Sequence, residues 1–285
     1  MAMISGNARL AGVAGWPISH SRSPRLHNFW LQEYGIDGAY LPLAIAPDDF
    51  EQAVRPLPKL GFAGCNVTMP HKEAALRTVD RVDPAAQRIG AVNTIVVAED
   101  GSLDGSNTDA FGFIQALHEG APDLDVTKGP AVLIGAGGAA KAIAVALLDA
   151  GAPELIVLNR TEARAQTLAQ ALAESFAGKI TVGSWDSRAA QLADANVLVN
   201  STTQGMQGQP PLDLALDDLA SGAVVMDAVY TPLLTPLLAG AQARGNPAVD
   251  GLGMLLHQAR PGFAAWFGRQ PEVGQALRDH VLADL

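Results

Sequence analysis

Apolar runs of strand length recur along the chain at 39–45, 63–68, 92–97, 131–134, 155–158, 197–200 and 223–226. Between most of them lie Ala- and Leu-rich segments with helical spacing, as at 139–150 and 163–176. Short apolar runs alternating with helix-length segments predict strand–helix units, and hence an α/β architecture with mainly parallel sheets. The pair Asp100-Gly101, between the 92–97 run and Leu103, reads as a hairpin turn and places at least one antiparallel pair in the first third. The polar stretch 124–130, punctuated by Gly and Pro just before the next run, predicts that a new structural unit begins there. After Pro247 the pattern is helical only, through GLGMLLHQARPGFAAWFG and PEVGQALRDHVLADL. Helices so few cannot fold alone, so they are expected to pack on one of the two sheets. With no fixed-period repeat and no low-complexity tract, solenoid and linker architectures drop out.

Composition narrows the class further. A chain of 285 residues, 48% hydrophobic and 17% charged, has material for a sizeable core and favours two domains over one. Its net charge of −10 argues against a partner recruited by a broad basic surface, which excludes nucleic acid and anionic membranes as general ligands. One cysteine, Cys65, cannot form an intramolecular disulfide, and the first residues, MAMISGNARLAGVAGWP, do not read as a secretory signal. The apolar stretch 228–243 is interrupted by Pro232 and Pro236 and is too short to span a membrane. A soluble, cytoplasmic globular protein is the expectation.

The run 131–134 leads into Gly135-Ala136-Gly137-Gly138-Ala139-Ala140 and then an apolar helical segment. This is the G-x-G-x-x-A form of the dinucleotide fingerprint in its strand–turn–helix setting, where backbone N–H groups at a helix N-terminus receive a pyrophosphate. A tight structural turn is the competing explanation. An NAD site would carry an acid at the end of the second strand. Here that strand ends in Asn159-Arg160-Thr161, with Arg164 beyond, and two guanidinium groups with a hydroxyl suit a 2′-phosphate. The inferred cofactor is NADP. Read as structure alone, Thr161 caps the following helix and Arg164 is a solvated surface residue.

Three polar islands stand out from apolar surroundings. In the first, Gly15-Trp-Pro-Ile-Ser-His-Ser21-Arg-Ser23-Pro24, Ser23 reads as an N-cap, Pro24 as the first helical residue and Gly35 as the end of the helix. Hydroxyls at a helix N-terminus can also hold a carboxylate. The second, Asn66-Val-Thr68-Met-Pro70-His-Lys72-Glu73, puts Lys72 in the first turn of a helix, where a cation opposes the helix dipole and is out of place as ornament. The third joins Ala91-Val-Asn93-Thr94 to Asn107-Thr108-Asp109. Asp109 reads either as a helix cap or as the carboxylate that makes an acid–base pair with Lys72.

Taken in order, these stretches, together with Asp250-Gly251-Leu-Gly253-Met254-Leu-Leu-His-Gln258-Ala259, resemble the shikimate dehydrogenase family nearly end to end. The resemblance implies reversible, NADPH-dependent reduction of 3-dehydroshikimate to shikimate. It implies Ser21 and Ser23 on the substrate carboxylate, with Thr68, Lys72, Asn93, Asp109 and Gln258 around the ring, and Tyr230 as a further carboxylate contact. Lys72 and Asp109 would be the catalytic pair, with Lys72 as proton donor. Cofactor contacts would come from Gly135, Ala136, Gly137, Gly138, Ala139, Asn159, Arg160, Thr161 and Arg164, from Ala228 through its backbone, and from Gly251, which reads as a hinge or a close-approach position. No metal is implied. The family fold implies a substrate domain of residues 1–108 and 252–285 around an inserted NADP-binding Rossmann domain of residues 109–251. Pro84 stands where some members carry an acid, and no role is carried to it. A homodimer is left open. Two other readings stand beside this one: a quinate/shikimate dehydrogenase, and a non-catalytic NADP-binding regulatory protein.

Overall fold

A computed structural model describes residues 4–283; residues 1–3 and 284–285, which the expected domain spans include, lie outside the described residues. The chain divides into two compact units, Met1–Thr108 with Gln258–Leu285, and Asp109–His257.

The first unit contains β1 (Arg9–Gly15), α1 (Ser23–Glu33), β2 (Gly38–Ala44), α2 (Phe50–Val54), β3 (Phe62–Val67), α3 (Lys72–Thr78), β4 (Arg81–Val82), α4 (Pro84–Ile89), β5 (Thr94–Val97) and β6 (Leu103–Ser106). Its sheet runs β2-β1-β3-β5-β6-β4. The β1–β2, β1–β3 and β4–β6 pairs are parallel; β3–β5 and β5–β6 are antiparallel, the latter closed by the expected turn with Gly101 at φ +81°. On one side Phe50, Val54, Leu57, Cys65, Val67, Ile95 and Leu103 form an apolar cluster. Helix α1 buries Leu26, His27, Trp30 and Leu31, a helical stripe, and the chain leaves it through Gly35 at φ +60°.

The second unit contains α5 (Asp109–Gly120), β7 (Ala131–Ile134), α6 (Gly138–Asp149), β8 (Glu154–Leu158), α7 (Glu162–Ala173), β9 (Lys179–Gly183), β10 (Val197–Asn200), β11 (Val224–Asp227), α8 (Pro236–Ala243) and β12 (Ala248–Val249). All its strand pairs are parallel, in the order β12-β11-β10-β7-β8-β9. This is the doubly wound 3-2-1-4-5-6 arrangement, which opens a ligand crevice between β7 and β10 at their carboxyl ends. Strands β7, β10 and β11 are buried at every residue, as sheets covered on both faces require. The chain continues into α9 (Leu252–Phe267), which crosses from the second unit into the first, and α10 (Gln275–Leu282).

Three expectations change. The second unit opens at α5, which packs on α6, and not within 124–130. The chain after Pro247 is not helix only, since Ala248 and Val249 extend the sheet beside β11. The units part between His257 and Gln258, inside α9, whereas the expected boundary lies at 251/252. The terminal helices do find a sheet: Phe263 and Trp266 are buried in the first unit, and Trp266 Nε1 donates to the Ile95 carbonyl at 3.0 Å.

Candidate active site

Within the first unit, the polar islands converge at the carboxyl ends of β1 and β3. Residues 18–23 turn tightly into α1, with Ser21 N–H donating to the Ile18 carbonyl at 3.0 Å and Ser23 N–H to Ser21 Oγ at 3.3 Å. The expected cap is displaced by one residue. Arg22 is the N-cap, Ser23 is the first helical residue, and no side chain caps the helix. The Ser23 side chain instead lies beside the phenol of Tyr40. Both serines are half-buried.

Thr68 follows β3, its N–H donating to the Ala14 carbonyl at 2.9 Å, and its own carbonyl accepts from His71 N–H at 2.9 Å. Helix α3 begins at Lys72 itself, two residues after Pro70. His71 is buried, donates from Nε2 to the Ile45 carbonyl at 2.8 Å, and stacks on Phe50. Because a carbonyl only accepts, Nε2 carries the proton. The Lys72 carbonyl accepts from Val92 N–H at 2.9 Å, so its backbone lies next to the strand entry that carries Asn93.

Asn93 is buried, and its Oδ1 accepts from Thr108 N–H at 2.9 Å, from Thr108 Oγ1 at 3.1 Å and from Thr94 Oγ1 at 2.9 Å. Its Nδ2 points to Gln258 Oε1 at 3.5 Å. The first unit therefore assembles hydroxyls, amides and one lysine in a single region. Asn66, Tyr40, Thr94 and Thr108 belong to the same bonded set; sequence placed Asn66, Thr94 and Thr108 in the polar islands without a role and passed over Tyr40. Tyr40, an aromatic residue in an apolar run, carried no signal.

In the second unit, Gly135 leaves β7 at φ +112°, and a Cβ there would lie 2.5 Å from Ser201 Oγ, so glycine is required. Gly137 and Gly138 differ: both are exposed, and a Cβ on either would meet nothing within 4 Å. The protein leaves that space open at the N-terminus of the twelve-residue helix α6, with Ala136 and Ala139 half-buried beside it. That open cradle fits a pyrophosphate. The second strand, β8, ends at Leu158; Asn159 Nδ2 then donates to the Thr161 carbonyl at 2.7 Å, shaping a turn on which Arg160 is exposed. Thr161 occupies the N-cap position of α7 without a side-chain cap bond, and Arg164 is exposed on the first turn. A turn with Arg160 and a hydroxyl and no acid at the strand end, Glu162 coming only as the first helical residue, fits a phosphorylated ribose better than a free 2′-hydroxyl.

Asp227, at the end of β11, is fully buried and accepts from Asn200 Nδ2 at 2.9 Å, Val229 N–H at 3.0 Å and Thr235 Oγ1 at 2.7 Å. Burial raises its pKa against those three bonds. It pins the loop that carries Ala228 and Tyr230, both half-buried. Gly251 is a close-approach position: a Cβ would sit 2.4 Å from the Ala228 carbonyl oxygen. Asp109, the first residue of α5, is buried. Lys72 lies in the first unit and Asp109 in the second. Cys65 is buried, which pushes its thiol up to about 12 and leaves it inert. Among the described residues no cluster of His, Cys, Asp or Glu is placed to hold a metal, and no helix is long and apolar enough to cross a membrane.

A doubly wound parallel sheet with a glycine loop, in one chain with a second α/β unit rich in hydroxyls and amides, defines the class of two-domain α/β dehydrogenases. Residues 13–95 match the family model for the shikimate dehydrogenase substrate binding domain, and residues 119–207 that for shikimate / quinate 5-dehydrogenase. The chain is 60% identical over 280 residues to the shikimate dehydrogenase (NADP(+)) of Paramagnetospirillum magneticum, covering 98% of this chain and 100% of the relative. It is similar to shikimate 5-dehydrogenase from Thermus thermophilus solved with NADP(H) and shikimate (TM-score 0.84, 35% identity, 97% and 100% of the two chains). It is also similar to quinate dehydrogenase from Corynebacterium glutamicum solved with NAD (TM-score 0.90, 32% identity, 97% and 99% covered). The chain belongs to the shikimate dehydrogenase family.

Proposed function

We propose that this protein catalyses the reversible, NADPH-dependent reduction of 3-dehydroshikimate to shikimate, as a cytoplasmic enzyme of aromatic amino acid biosynthesis. The observation that carries the reading is the substrate half in the first unit, where Ser21, Ser23, Thr68, Lys72, Asn93 and Gln258 gather on four segments far apart in sequence. Hydroxyls and amides of this kind suit a ring bearing several hydroxyls and one carboxylate, which offers both donors and acceptors.

In this reading Ser21 and Ser23 hold the carboxylate, with Tyr230 as a further contact. Asn93 presents Nδ2 as a donor, because Oδ1 is occupied by three bonds from Thr94 and Thr108. Lys72 gives its proton to the carbonyl oxygen of the substrate, and Asp109 stabilises the ammonium and completes the acid–base pair. NADPH, when bound, supplies the hydride. Gly135, Ala136, Gly137, Gly138 and Ala139 would hold its pyrophosphate, Asn159, Arg160, Thr161 and Arg164 its phosphorylated ribose, and Ala228 and Gly251 would border it through backbone. The first unit then acts as substrate domain and the second as NADP domain.

Turnover of shikimate and of quinate, each with NADP and with NAD, tests the proposal. It predicts shikimate with NADP as the pair with the highest kcat/KM. Preference for quinate, or for NAD, would contradict it, and a folded protein that binds NADPH without turning over any pair would make it a regulatory protein instead.

A further inference from the structure

The hydrogen bonds that join Thr108 to Tyr40 have only one consistent direction. A backbone N–H can only donate, so Thr108 N–H at 2.9 Å makes its partner on Asn93 the amide oxygen. The Thr94 hydroxyl donates to the same oxygen at 2.9 Å. With its one proton used there, Thr94 Oγ1 accepts at 3.1 Å from Asn66 Nδ2, which also reaches the Asn93 carbonyl at 3.2 Å. Asn66 therefore turns Oδ1 the other way, and the Tyr40 hydroxyl donates to it at 2.6 Å. The Tyr40 proton is committed inward, so toward the neighbouring Ser23 the phenol oxygen offers only an acceptor.

Each member from Tyr40 to Thr108 is buried, and Tyr40 is only 1% exposed. Burial holds the phenol well above its ordinary pKa, which keeps it protonated and able to donate. The ring is locked as well, stacked on His27 at 4.0 Å with 5° between the planes. A chain of this kind is rigid because reversing any one bond would leave two donors or two acceptors face to face in a low-dielectric interior.

We propose that Tyr40 is a positioning residue of the substrate half: its phenol fixes the Asn66 amide and, through Thr94, the Asn93 amide, so that Asn93 meets a polyhydroxylated carboxylate already oriented. The role of Tyr40 rests on the reading of the first unit as the substrate half. Tyr40 itself needs no contact with the ligand.

Steady-state kinetics of Tyr40→Phe with shikimate and NADP tests this, since the substitution keeps the stacked ring and removes the hydroxyl alone. The KM for shikimate is expected to rise about tenfold, while kcat and the KM for NADP stay within about twofold. Thr94→Val interrupts the same chain two bonds further on and gives the same split should Tyr40→Phe fail to fold; Thr94→Ser, which keeps the hydroxyl, restores the wild-type KM. An unshifted shikimate KM in a folded Tyr40→Phe, or equal losses in kcat and both KM values, would overturn the role. Wild-type turnover in the same series separates the two levels: its absence overturns the assigned reaction, and its presence with an unshifted KM overturns only the role of Tyr40.

Discussion

His27 sits in an aromatic box of Trp30, Tyr40, Phe263 and Trp266 with no hydrogen-bond partner for either ring nitrogen. Burial drives its pKa down from 6.5 to about 3; Asn66, close but outside bonding geometry, opposes the shift only in part. In the unfolded chain the same imidazole takes up a proton below pH 6.5, while the folded state refuses it down to about 3. The contribution to stability is therefore complete above that window and is lost as pH falls through it, on the order of a few kcal/mol in total. His27→Phe should flatten the fall in Tm from pH 6.5 toward 3 whatever it does to stability at neutral pH. Identical slopes in the two proteins would refute this. Sequence singles out residues where chemistry is rare and local, as with Lys72 among five lysines. Roles were not legible for Tyr40 and His27, whose meaning comes from partners on other strands. Ser23 was misplaced because S-P is also the ordinary signature of a cap, and only the backbone of Arg22 shows that the helix starts one residue earlier.

At the scale of elements, glycines divide by what surrounds them. Gly64 lies in β3 at φ +150°, and a Cβ there would fall 2.0 Å from the Ile95 carbonyl oxygen and 2.3 Å from Trp266 Nε1. It lets Trp266 reach that carbonyl across the β3–β5 pair, so the end of α9 is seated through a missing side chain. Gly64→Ala should cost at least about 3 kcal/mol by overpacking and backbone strain together. Gly137→Ala, with open space and φ −92°, should leave the melting transition nearly unchanged and weaken NADPH binding. Thermal melts with and without NADPH check both; a mild Gly64→Ala or a Gly137→Ala that binds normally would contradict the assignment. Buried parallel strands such as β7 were legible because their runs are apolar throughout, and β10 because three of its four residues are. Strand β1, RLAGVAG, escaped notice because small residues replace the β-branched ones, and β12 because two residues carry no period.

In the proposed reading the two units divide the labour, the first holding the substrate and the second the cofactor. The molecule's excess of acids gives no field to gather anions, and both proposed ligands are anions, so capture falls to local devices: serine hydroxyls, the open helix end at Gly137 and the arginines after β8. The fold class was legible from alternation, and the docking of the helices after Pro247 on one of the sheets from their isolation; the interleaving of the chain came from the family resemblance alone. The parting of the units inside α9 was not legible, because a continuous helix has no sequence mark where it leaves one core for another. The claim most exposed to test is that Lys72 serves the reaction and not the cofactor. Replacing it by alanine and measuring kcat for shikimate oxidation alongside the NADPH dissociation constant decides the matter. The division of roles predicts that kcat falls by about 10²-fold or more while NADPH affinity stays within about twofold. A parallel loss of NADPH binding, or a kcat near that of the wild type, would contradict it.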